Sequence, residues 1–153
     1  ANNLDHTDEN YIFEITAHEI AHGYLPFYVL TNETEYAWMD EGFVKLFGEM
    51  ALENKGVKRP DSKILNTIKI YQGLASTQYD VPLMTPSSSI NPAYDFATSY
   101  AKSVNALYYL IQIMEEKGIQ NPLKLFMETW KDKHPTPYDF FFYMNSLAKE
   151  DLS

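Results

Sequence analysis

His18, Glu19 and His22 spell H-E-x-x-H, and eighteen residues separate His22 from Glu41. On a helix, side chains four positions apart leave the same face with Cβ atoms about 5–6 Å apart, so two imidazoles at 18 and 22 can share one metal ion. Glu19 lies one position round from His18, able to flank that ion without ligating it, where a general base for an activated water is needed. Glu41 can supply a carboxylate from a second helix packed on the first. Two imidazoles and one carboxylate leave a fourth position open, the pattern of a catalytic rather than a structural zinc site. The same residues would also fit two half-buried histidines beside an ordinary surface glutamate. The helical context and the acid one helix later favour the metal.

The elements that must position these groups read as a succession of helices. The first is expected over about Asn10 to Leu25, capped by Thr7 or Asp8, with Ile12, Ile15, Ile20 and Tyr24 among its apolar residues and Pro26 after its end. A linker from Phe27 to Thr34 follows, and Asn32 with Glu35 suggests a capping box opening a second helix over about Glu35 to Asn54, stopped by Gly56. Glu41 then falls near the middle of that helix. A turn over Lys58 to Asp61 leads to a third helix, opened by Pro60 and packed through Ile64, Leu65, Ile68 and Tyr71.

Thr77 to Pro92, with prolines at 82, 86 and 92 and three consecutive serines, reads as a loop, either bordering the site or simply connecting. A long helix over about Tyr94 to Lys117, stopped by Gly118, comes next, with Tyr94 and Asp95 at its start. Asn121-Pro122 and Thr136-Pro137 open the last two, whose stripes Leu123, Phe126, Met127, Trp130 and Phe140, Phe141, Met144, Leu147 read as core. His6 and His134 have no second ligand at helical spacing and are expected to face solvent.

Composition bounds the rest. At 153 residues and 45% apolar the chain is the size of one domain and can bury a core. A net charge of −9 argues against nucleic-acid or anionic-membrane binding. No run of eighteen apolar residues is present to span a membrane, and the first residues are too polar for a signal peptide. With no cysteine, any zinc must be held by nitrogen and oxygen.

The wording HEIAHGYLPFY followed by YAWMDEGF resembles the M1 family of gluzincin metallopeptidases, bacterial members above all, in which the third ligand sits in an N-E-G-F-like box. Here the box is Asp40-Glu41-Gly42-Phe43, with aspartate in the asparagine position. The resemblance implies Zn²⁺ on His18, His22 and Glu41, with Glu19 as general base. Tyr100-Ala101-Lys102-Ser103 resembles the family's Y-x-K-G segment, whose tyrosine donates to the oxyanion of the tetrahedral intermediate, so Tyr100 takes that role; Ser103 replaces the usual glycine. Many family members also carry an acid seven residues after the third ligand, where it orients a zinc histidine. That position is Gly48 here, with Glu49 next.

The resemblance covers residues 1–153 as a single region, the mainly α, helical part of a thermolysin-like catalytic domain. The family's upstream β-rich lobe and its G-x-M-E-N box are not in this sequence, so the chain is expected to belong to a longer polypeptide whose upstream lobe is its partner in binding peptide. Resemblance to exported bacterial members points to an extracytoplasmic site. The function expected is zinc-dependent hydrolysis of peptide bonds, releasing N-terminal residues. The alternatives are a non-catalytic zinc-stabilised peptide-binding scaffold, and a gluzincin endopeptidase.

Overall fold

The computed structural model describes residues 9–57 and 61–152, and of residues 61–66 the backbone alone. Thr7 and Asp8 as caps, His6, Pro60 as a helix opener, and the packing of Ile64 and Leu65 lie outside the described residues. The described residues form helices α1 (Glu9–Ala21), α2 (Trp38–Asn54), α3 (Asp61–Leu74), α4 (Ser103–Glu116), α5 (Pro122–Trp130) and α6 (Pro137–Ala148), joined by loops and short 3₁₀ and π-helical turns. No strand occurs among them. None of the described helices is long and apolar enough to cross a membrane.

α1 is shorter than the expected run to Leu25. Proline at 26 has no N–H to give the His22 carbonyl, so the last turn tightens instead, through Gly23 N–H to the Ile20 carbonyl and Tyr24 N–H to the Ala21 carbonyl. A π-helical turn, Leu25–Val29, follows, and Leu30 at φ 65° reverses the chain. Asn32 does cap, its Oδ1 accepting from Glu35 N–H at 3.1 Å. The turn it caps closes on itself through Tyr36 N–H to the Asn32 carbonyl, and α2 proper starts at Trp38. Glu41 therefore stands in the first turn of α2 and not near its middle. There the exposed amides of the helix N-terminus favour a carboxylate. The far end stops as its glycine implies, at Gly56 with φ 84°.

α2 is the central element. Trp38, Met39, Phe43, Val44, Leu46 and Leu52 are all buried. α1 lies against one side of it and α4 against another. Phe43 meets Phe140 edge-on with centroids 5.3 Å apart, and Phe140 meets Phe126 at 5.0 Å, so α5 and α6 close the core around the same rings. Burial of three phenylalanines in mutual contact contributes on the order of 2–3 kcal/mol each. α6 is entered through a full capping box, Thr136 with Asp139.

The expected single helix from Tyr94 to Lys117 is resolved into a 3₁₀ turn (Pro92–Tyr94), a π-helical segment (Phe96–Lys102) and α4, which ends just before Gly118 at φ 82°. The loop between Thr77 and Pro92 is tied down at two points. Lys102 Nζ donates to Asp80 Oδ1 at 2.8 Å and to the Val81 carbonyl at 2.7 Å. Ser87 accepts from Ala37 N–H on its Oγ at 2.9 Å and donates its own N–H to the Glu35 carbonyl at 2.8 Å. The loop thereby braces the π-helical segment against the start of α2.

Candidate metal centre

His18 lies inside α1, and His22 lies one residue beyond its last helical position. Their rings meet edge-on with centroids 5.0 Å apart, as the four-residue spacing requires. Glu41 approaches both from α2, its Oε2 3.4 Å from His18 Nε2 and 3.9 Å from His22 Nε2. Ligand atoms of the three residues all lie within 4.8 Å of one another, so the group can hold a metal ion. Four ligands at zinc's bond lengths of roughly 2.0–2.1 Å sit about 3.4 Å apart around a tetrahedron, close to the spacing found here. Glu41 Oε2 is buried and accepts no hydrogen bond. A buried carboxylate oxygen without a donor is costly, and a cation at this point removes that cost. The residues fit a zinc ion with nitrogen and oxygen ligands.

The Glu41 carboxyl is opposed by its burial, yet the nearby His18 and Tyr100 and the charges of the histidines outweigh this and hold it below the usual carboxylate range. It is ready to bind a cation at neutral pH. Tyr100 reaches Glu41 from the π-helical segment, where its ring stacks on Phe96 with centroids 5.1 Å apart. Burial, followed by the Glu41 carboxylate, pushes its hydroxyl above the ordinary tyrosine value, which keeps it a donor throughout the neutral range. A recess of about 180 Å³ opens beside His18 and Tyr100, lined also by Tyr11, Ile15, Phe96 and the Glu14–Lys45 pair, whose charged atoms lie 2.6 Å apart. Glu19 is exposed on α1 next to His18.

Two contacts were not legible as such in the sequence. His22 Nδ1 lies 2.9 Å from both carboxylate oxygens of Asp40. Burial pushes the Asp40 carboxyl up to about 7 against the opposing pull of His22, with Glu33 adding to the rise. The aspartate in the box was visible, but its partner eighteen residues away appears only when α1 and α2 pack. The second contact is Gly42 against Ser103: a Cβ at 42 would fall 2.5 Å from Ser103 Oγ and 2.6 Å from its Cβ. The small residue at 103 thus meets the glycine that follows Glu41.

At the position of the expected orienting acid, Gly48 leaves room for α1, since a Cβ there would press to 3.1 Å from the Glu14 carbonyl oxygen and 3.6 Å from His18 Cβ. Glu49 is buried one residue on. His134 is exposed, as expected.

The family model described as Peptidase family M1 domain matches residues 1–153. Comparison with curated proteins and with solved structures returns no match.

Proposed function

Because the chain belongs to peptidase family M1, we propose that it carries the zinc centre of a peptidase releasing N-terminal residues from peptides. The observation that carries this reading is the meeting of ligand atoms of His18, His22 and Glu41 within 4.8 Å of one another, with Glu41 Oε2 buried and outside hydrogen-bond geometry. His18, His22 and Glu41 are the ligands. Zinc bound there would supply Lewis-acid polarisation of the scissile carbonyl and acidify the attacking water.

The chain's own residues supply the remaining steps. Glu19, exposed beside His18, takes the proton of the attacking water and delivers it to the leaving amine. Tyr100, held protonated by its buried setting, donates to the oxyanion that develops on the carbonyl. The recess beside His18 and Tyr100 gives part of the substrate a partly apolar wall against which to rest.

The test combines metal analysis with turnover of paired peptides, one with a free and one with a blocked amino terminus. One zinc per chain, cleavage of the free peptide and loss of cleavage on chelation are expected. Cleavage of both peptides would make the protein an endopeptidase. Tightly bound zinc without cleavage in the complete polypeptide would make it a zinc-stabilised binding scaffold.

A further inference from the structure

Glu14 stands four residues before His18 on α1, and Lys45 four residues after Glu41 on α2. Positions four apart share a helix face with Cβ atoms about 5–6 Å apart, so the Glu14–Lys45 pair forms a second rung beside the meeting of His18 with Glu41. Lys45 Nζ donates to Glu14 Oε1 at 2.6 Å and has no other acceptor among the described residues. An ammonium carries three protons, so two are left for a further acceptor. Lys45 is the more open partner, its side chain 29% exposed against 8% for Glu14. It is also the one lysine or arginine among the residues lining the recess beside His18 and Tyr100, whose other walls include Ile15 and Phe96. A carboxylate reaching past these apolar walls meets a donor of opposite charge, whereas an ammonium or guanidinium meets a like charge.

We propose that Lys45 makes this recess selective for a carboxylate of the peptide, carried on a side chain next to the scissile bond or at the peptide's own C-terminus. This deepens the peptidase reading above and rests on it. The test uses the complete zinc-loaded polypeptide and peptide amides in which Glu, Gln, Leu or Lys occupies either position flanking the scissile bond. At one of the two positions kcat/KM is expected to be about tenfold higher for Glu than for Leu, the low end for a hydrogen bond to a charged group, and lowest for Lys. Dipeptides ending in a free carboxylate or in an amide distinguish the second source: preference for the free carboxylate, with none for Glu in the amides, assigns the recess to the peptide's C-terminus.

Lys45→Met keeps an apolar stem and removes the charge, so the carboxylate preference should disappear. Glu14→Gln leaves Lys45 charged and takes away its competing carboxylate, so the preference should grow. Should Lys45→Met fail to fold with the buried Glu14 charge no longer offset by Lys45, the double variant Glu14→Gln with Lys45→Met removes both charges and is measured in its place. A preference that survives loss of Lys45, or faster turnover of Lys than of Glu peptides at both positions, overturns the proposal. If no peptide is cleaved, the peptidase reading fails and binding decides for the recess. In the metal-free protein the Lys45 Cε–H signal, assigned through Lys45→Met, should shift with N-acetylglutamate α-amide and not with N-acetylleucine amide; equal responses, or none, overturn the assignment.

Discussion

At the scale of single residues, ligands and reacting groups can be separated because their chemistry fails differently. His22→Ala removes one of the three proposed ligand atoms. Metal that binds only the folded state adds to folding free energy, so this variant should lose zinc and thermal stability together. Metal analysis beside a melting curve checks it; one equivalent of tightly held zinc in the variant would remove His22 from the ligand set. Glu19→Gln keeps shape but cannot take a proton, and Tyr100→Phe deletes only a hydroxyl, so both should retain zinc. Loss of the Tyr100 donor should lower kcat by about 10²–10³, the scale for one oxyanion donor. Unchanged kcat in either zinc-loaded variant would mean that the acid–base or oxyanion role lies elsewhere.

At the scale of elements, the fit between α2 and α4 sets where Glu41 stands. Gly42 follows Glu41 directly, and any Cβ there collides with Ser103 at the start of α4. Gly42→Ala gains helix propensity of at most about 1 kcal/mol but overpacks a closed contact, at about 1–3 kcal/mol, so the net effect should be destabilising. Ser103→Gly removes the atoms it would strike. The double variant should therefore recover most of the loss, a coupling readable from denaturant midpoints in a double-mutant cycle. Strict additivity would show that the two helices are not in register as described.

The element scale also marks what sequence could and could not disclose. The meeting of His18 and His22 was legible because their spacing is local and a helix has one period; the stops at Gly56 and Gly118 were legible because glycine takes positive φ cheaply. The partner of His22 and the neighbour of Gly42 depend on how separate helices dock, which no local pattern states. The start of α2 was misplaced by three residues because the Asn32 cap closes an isolated turn before the helix begins. The end of α1 and the π-helical segment at Tyr100 differ for a related reason. Apolar periodicity does not distinguish an α-helical turn from a π turn of the same polarity.

At the scale of the molecule, metal binding and peptide turnover should separate. The three proposed ligands lie on α1, just after its end and on α2, all among the described residues, so the proposed zinc site has the groups it needs to form. An extended peptide has other needs. Its orientation commonly comes from backbone hydrogen bonds to a sheet edge, and there is no strand among the described residues to offer one. Positioning can account for about 7–11 kcal/mol of a barrier in favourable cases, so its absence should cost rate far more than zinc occupancy. These 153 residues alone are expected to bind zinc yet hydrolyse aminoacyl substrates slowly, and the same residues preceded by a β-rich lobe in one polypeptide should turn over much faster. Zinc stoichiometry and kcat/KM measured side by side decide it. Equal kcat/KM would mean that the helical region already holds the substrate site, with the recess at His18 and Tyr100 as its first candidate wall.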